Sequence, residues 1–130
     1  MDNEIKQGNI AAAHPSPWID EKTGVIHWYY MDTFPFTLTI NLTDKDSGEP
    51  IVFDPEDEIF ISFFNTKRPE ELIFTATCTN IPEDNTMTID FTEEVSERFV
   101  PGKYSFCIRY KSEFVRTIGV NCRIEVEKCH

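Results

Sequence analysis

The chain has 130 residues, enough for one domain, and its 40% hydrophobic and 13% aromatic content, with 11 Phe, supplies a packed core and argues against general disorder. Against 12 Lys and Arg stand 23 Asp and Glu, a formal charge of -11, so the average surface repels phosphate and anionic headgroups; neither nucleic acid nor membrane is an expected partner. No window approaches the roughly 18 apolar residues of a spanning helix, and Met1-Asp2-Asn3-Glu4-Ile5-Lys6 lacks the basic start and apolar stretch of a secretory signal, which predicts a protein made and kept in a cytoplasm.

Residues 1–23 are polar and broken by Pro15 and Pro17, and they read as an extended arm preceding a β-sandwich domain over residues 24–130. Trp18 is the exception on that arm, either tucked back onto its own domain or serving as an anchor for a neighbouring subunit. After Gly24 a first strand runs from Val25 to Tyr30. The second is the clearest: Phe34, Phe36, Leu38, Ile40 and Leu42 share one face, while Thr37, Thr39, Asn41 and Thr43 share the other. Pro35 cannot donate to a ladder, which predicts an edge or a strand start there. The run Asp44 to Pro50 is a turn, followed by a short strand near Ile51–Phe53 and a solvated acidic turn at Asp54, Glu56, Asp57 and Glu58. Ile59 to Phe64 is apolar on both faces with Ser62 the one polar residue, so it predicts a central strand with the sandwich core on one side and a cover, the arm or another molecule, on the other. Leu72–Thr79 and Thr86–Thr92 are two more strands about the turn Pro82-Glu83-Asp84-Asn85, and Thr92 opens a helical turn ending near Phe99.

The carboxyl-terminal hairpin has the strongest period of all. Tyr104, Phe106, Ile108 and Tyr110 alternate with polar residues, and so do Ile118, Val120, Cys122, Ile124 and Val126. Side chains on a strand point to opposite faces in turn, so each strand has one dry and one wet side. Seven or eight mainly antiparallel strands with no helix of consequence predict an all-β, immunoglobulin-like β-sandwich. In such sandwiches a Tyr two residues before a buried core position ties its strand to the preceding corner; Tyr104 ahead of Phe106 fits, with Phe106 in place of the cysteine.

Signals for chemistry are weak by comparison. His14, His27 and His130 are the only histidines, and no Ser/His/Asp or Cys/His arrangement stands at a recognisable spacing. The acidic run Asp44, Asp46, Glu49 misses the calcium-loop pattern, since Gly48 comes one position early and the distal Glu is missing. Cys78, Cys107, Cys122 and Cys129 have no metal spacing and are expected as free thiols, Cys78 sharing a core face with Leu72, Phe74 and Ala76 by strand parity, Cys122 with Val120 and Ile124, and Cys107 on the opposite phase. No enzyme activity, cofactor or metal is expected.

Residues from about 31 to 126 resemble the immunoglobulin-like β-sandwich domains of tailed-phage virion proteins, including the amino-terminal domain of baseplate upper proteins. The similar segments are Met31-Asp32-Thr33-Phe34-Pro35-Phe36-Thr37-Leu38, with Met31 where the family has Gly; the turn Asp44-x-Asp46-x-Gly48-Glu49-Pro50; Asp57-Glu58-Ile59-Phe60-Ile61-Ser62-Phe63; and Val100-Pro101-Gly102-Lys103-Tyr104-Ser105-Phe106. The resemblance implies a non-enzymatic structural or assembly module of a tail, baseplate or decoration layer. Such a module is found in the virion and bound to other virion proteins or to copies of itself as a homo-oligomer. Trp18, Trp28, Phe60 and Phe64 are the expected contact residues. Two alternatives are a carbohydrate- or peptide-binding module, with Trp18, Trp28, Tyr29 or Tyr30 as a stacking platform, and an acidic inhibitor of a host nucleic-acid enzyme.

Overall fold

The computed structural model describes residues 12–43, 46–51, 53–54 and 56–128. Eight strands follow in order, β1 (Trp18–Ile19), β2 (Ile26–Tyr29), β3 (Phe34–Thr39), β4 (Glu58–Asn65), β5 (Leu72–Cys78), β6 (Thr86–Phe91), β7 (Gly102–Lys111) and β8 (Val115–Glu127), with one helical turn, α1 (Glu93–Ser96), between β6 and β7. They form a six-stranded sheet in the order β1-β2-β8-β7-β4-β5 and a two-stranded sheet of β3 and β6. Every pairing is antiparallel except that of β2 with β8. The molecule is all-β, as the alternation predicts.

The core lies between the sheets and is largely aromatic. Phe36 from β3 meets Phe106 from β7 edge-on across the two sheets, with centroids 6.0 Å apart. Ile59, Ile61 and Phe63 of β4 are fully buried, and so is Phe99 after α1. Thr92 caps α1, its side-chain oxygen accepting from the Val95 amide. Tyr104 forms the expected corner: its hydroxyl donates to the Val100 carbonyl at 2.6 Å. Pro35 sits second in β3, a strand that pairs only with β6, so its missing N–H costs no ladder bond.

Several expectations need correction. Trp28, anticipated on an interaction surface, has no solvent exposure. Parallel pairing sets Trp28 beside Val126 of β8, so alternation turns the indole inward against Phe34, Phe91 and Phe99 while His27 and Tyr29 face out. The arm's described end is not separate from the domain either. Trp18 and Ile19 add an edge strand against β2, and the Ser16 hydroxyl fixes the approach by accepting from the Tyr29 amide at 3.0 Å and donating to Asp32 at 2.6 Å.

Strict alternation also fails in β8. The β7–β8 register shifts between Phe106 and Ile108 and again between Ile108 and Arg109, which puts Gly119 opposite Ile108. A Cβ at Gly119 would lie 3.2 Å from the Ile108 side chain, so glycine there lets the bulged strand approach closely. The Val120 side chain lies outside the described residues. A third shift, between Phe63 and Phe64 in the β4–β5 pairing, pairs Phe64 with Leu72 and leaves Leu72 exposed instead of sharing the face of Phe74 and Ala76. No strand forms at Ile51 or Phe53 among the described residues; Phe53 is buried against Tyr110 instead. Asp57, expected in a solvated turn, is buried and accepts from both the Asp54 amide at 2.9 Å and the Tyr110 hydroxyl at 2.7 Å.

Candidate interaction face

With Ile59, Ile61 and Phe63 turned into the core, β4 presents Phe60, Ser62 and Phe64 on the outer face of the large sheet. Phe60 lies beside Thr77 of β5 and Arg109 of β7, and Phe64 beside Leu72 and Ser105. Between the two rings Ser62 shares a hydroxyl hydrogen bond with Thr75 at 3.2 Å. Both phenylalanines stay half-buried, with no ring partner among the described residues, and Leu72 continues the strip at 54% exposure. Four residues along a strand span about 13 Å, so this strip is short and apolar, flanked by hydroxyls and one guanidinium.

Trp18 does not join it. Four strand spacings separate β1 from β4 in the sheet, about 19 Å. Trp18 belongs to a second cluster on the same outer face, stacked on His27 with centroids 5.3 Å apart and on His14 at 4.8 Å, with Tyr29 tilted against it at 5.1 Å. The indole is thus engaged by three neighbouring rings, and with Trp28 in the core the proposed aromatic stacking platform has no free tryptophan.

Below Trp18, the parallel β2–β8 register sets His27 beside Glu125, with Glu127 two residues on and on the same face. His27 Nδ1 lies 2.9 Å from a Glu127 carboxylate oxygen and 3.7 Å from one of Glu125. The His27 side chain is 14% exposed, against 37% and 35% for the two carboxylates, so the imidazole is held under the indole while the carboxylates reach solvent. One donor atom from each of the three lies within 4.8 Å of the others. Sequence reading had no route to this trio, since 100 residues separate His27 from Glu127 and the parallel pairing of β2 with β8 is what joins them. The outward phase of Glu125 and Glu127 was visible; their neighbour was not.

Next to the trio, an open cleft of about 490 Å³ is bounded by Thr66, Pro69, Lys103, Ser105, Arg123 and Glu125. The Arg123 guanidinium donates to the Thr23 carbonyl at 3.2 Å, tying the turn before β2 to β8. At the other end of β7 and β8 the hairpin tip exposes Phe114 and Val115, with the Arg116 guanidinium over the Phe114 ring at 5.9 Å. Apolar side chains at a tip are a surface feature that period-two reading of the strands passes over.

Cys78, Cys107 and Cys122 form no disulfide. Burial pushes the Cys78 and Cys122 thiols up from the ordinary value, with Cys107 adding to the effect at Cys122, so neither is activated as a thiolate. Burial also holds the Tyr110 hydroxyl above its usual range, reinforced by its bond to Asp57. Among the described residues no helix is long and apolar enough to cross a membrane. Comparison with family models, curated proteins and solved structures finds no match to this chain.

Proposed function

We propose that this chain is an immunoglobulin-like structural module of a tailed-phage or prophage particle, acting without catalysis through contacts with other virion proteins or with copies of itself. The observation that carries the reading is the outer strip of Phe60 and Phe64 on β4 and Leu72 on the neighbouring edge strand β5 of the large sheet, apolar side chains that the described fold leaves partly open to solvent. A sheet face of this kind loses apolar area from water when a second flat surface covers it. The corner bond of Tyr104, the Phe36–Phe106 contact and the separation of β3 and β6 from the remaining strands support the immunoglobulin-like assignment.

The test compares the parent with a Phe60→Ser, Phe64→Ser double variant by light scattering after size exclusion, and by pulldown from an induced host lysate with identification of captured proteins. The parent assembles, or retains a tail or baseplate protein, and the double variant does neither at an unchanged thermal midpoint. A strictly monomeric parent that captures no particle protein sinks the reading.

A further inference from the structure

We infer that His27, Glu125 and Glu127 form a binding site for one divalent transition-metal cation of the zinc type, on the outer face where β1, β2 and β8 meet. This inference is independent of any role in a virus particle. It rests first on the donor set, one imidazole nitrogen and two carboxylates, a mixture that suits borderline cations such as zinc better than magnesium or calcium, which prefer oxygen alone.

Spacing is the second support. With zinc bonds of about 2.1 Å, tetrahedral ligand atoms sit about 3.4 Å apart. The distances from His27 Nδ1 to its two carboxylate partners, 2.9 Å and 3.7 Å, fall on either side of that value, so small side-chain rotations seat an ion. All three donors come from paired strands, which fixes their backbones, and Trp18 stacked on His27 restrains the ring. Three protein ligands leave further positions of the ion to water or to a partner's side chain.

Electrostatics is the third. Two carboxylates are held side by side on a chain of formal charge -11, and the His27 imidazole can neutralise one of them at most. A divalent ion neutralises both. In the metal-free form Nδ1 is paired with the Glu127 carboxylate; in the bound form Nδ1 carries no proton and turns its lone pair to the ion, with the ring N–H on Nε2. Because one ligand comes from β2 and two from β8, the ion clips the amino-terminal edge of the sheet to the last strand.

Zinc chloride titrated into the intact chain in a calorimeter tests the site, in a background where Cys78, Cys107, Cys122 and Cys129 are serine, so that thiols cannot supply the signal. The expected result is saturable binding of one zinc per chain, weakened at least tenfold by Glu125→Gln with Glu127→Gln and by His27→Ala. The glutamine pair preserves shape and hydrogen-bonding reach, so its circular dichroism matches the parent, and it stands as the deciding variant should His27→Ala disturb the Trp18 stack. Zinc also raises the thermal midpoint of the parent and leaves that of the glutamine pair unmoved. No saturable binding up to millimolar zinc, or binding that the glutamine pair leaves intact, overturns the inference.

Discussion

Replacing Tyr104 with Phe removes one hydroxyl and nothing else, which makes it the sharpest probe of the corner that opens β7. That hydroxyl donates to the Val100 carbonyl at 2.6 Å, and the tyrosine is 2% exposed. A neutral hydrogen bond contributes about 0.5–1.5 kcal/mol net, and because Val100 is half exposed its carbonyl can turn to water once abandoned, so the loss at neutral pH is about 1 kcal/mol. Alkaline pH supplies a second reading of the same group. Burial, with smaller contributions from Glu71 and Tyr30, pushes the hydroxyl up to about 12. The unfolded chain gives up this proton near pH 10 while the folded chain keeps it. The sign follows: the contribution is complete below pH 10 and is lost as pH rises toward 12, by at most about 1.4 kcal/mol per pH unit and less where solvent reaches the corner. Urea midpoints of parent and variant at pH 7, 9, 10 and 11, with equal m-values, read both effects. The Phe variant starts about 1 kcal/mol lower, and the two profiles converge near pH 11 as the parent loses what the variant never had. A penalty under about 0.3 kcal/mol at pH 7, or parallel profiles across the alkaline range, refutes the argument.

Met31→Gly is expected to stabilise the chain by about 0.5–1 kcal/mol in the same urea assay, because Met31 holds a φ of 72° that costs a non-glycine residue about 1–2 kcal/mol and, at 40% exposure, its side chain gives up only part of a full burial; a lower midpoint contradicts this. Trp28→Ala should cost about 3–5 kcal/mol or prevent folding, as removal of a fully buried aromatic does, and a well-folded variant with a parental midpoint would disprove its place at the centre of the core. Thr92→Ala, which deletes the cap of α1, should cost about 1 kcal/mol, and no change in midpoint would show the cap bond to be idle.

Alternation made most of the architecture readable, and it failed where the chain departs from period two. Phe34, Phe36, Tyr104, Phe106 and Ile108 lie on the faces their phase predicts, because β3 pairs with β6 and β7 pairs with β4 without a register shift. Leu72 lies outside its predicted face because a register shift rotates it out, and no residue type announces such a shift. Gly119 was the one visible hint of the irregularity in β8. Trp28 was misread for a different cause: a short run of Trp28, Tyr29 and Tyr30 has no apolar period of its own, so phase could not say which ring turns inward. Of the candidate contact residues, the partly exposed placement of Phe60 and Phe64 follows from the local pattern of β4 alone. The His27 trio depends on pairing between the two ends of the domain, a relation no local window contains.

The size of the outer face bears on how its two halves work. Strands β5, β4 and β7, about 4.8 Å apart and some 26 Å long, present a planar area of about 370 Å², roughly half of the 800 Å² that each partner gives to a standard interface. A durable contact centred on Phe60 and Phe64 therefore has to extend across β8 and β2 toward Trp18, and the apolar strip alone suffices only for a transient one. Trp18→Ala separates the cases. In the first, it weakens association at least fivefold although three strands, β2, β8 and β7, lie between it and Phe64, because the indole sits inside the covered area. Equilibrium sedimentation of the Trp18→Ala protein gives the answer, with circular dichroism to confirm that β1 still pairs. Association unchanged by Trp18→Ala and abolished by Phe60→Ser would confine the contact to the apolar half and end the case for a full-face interface.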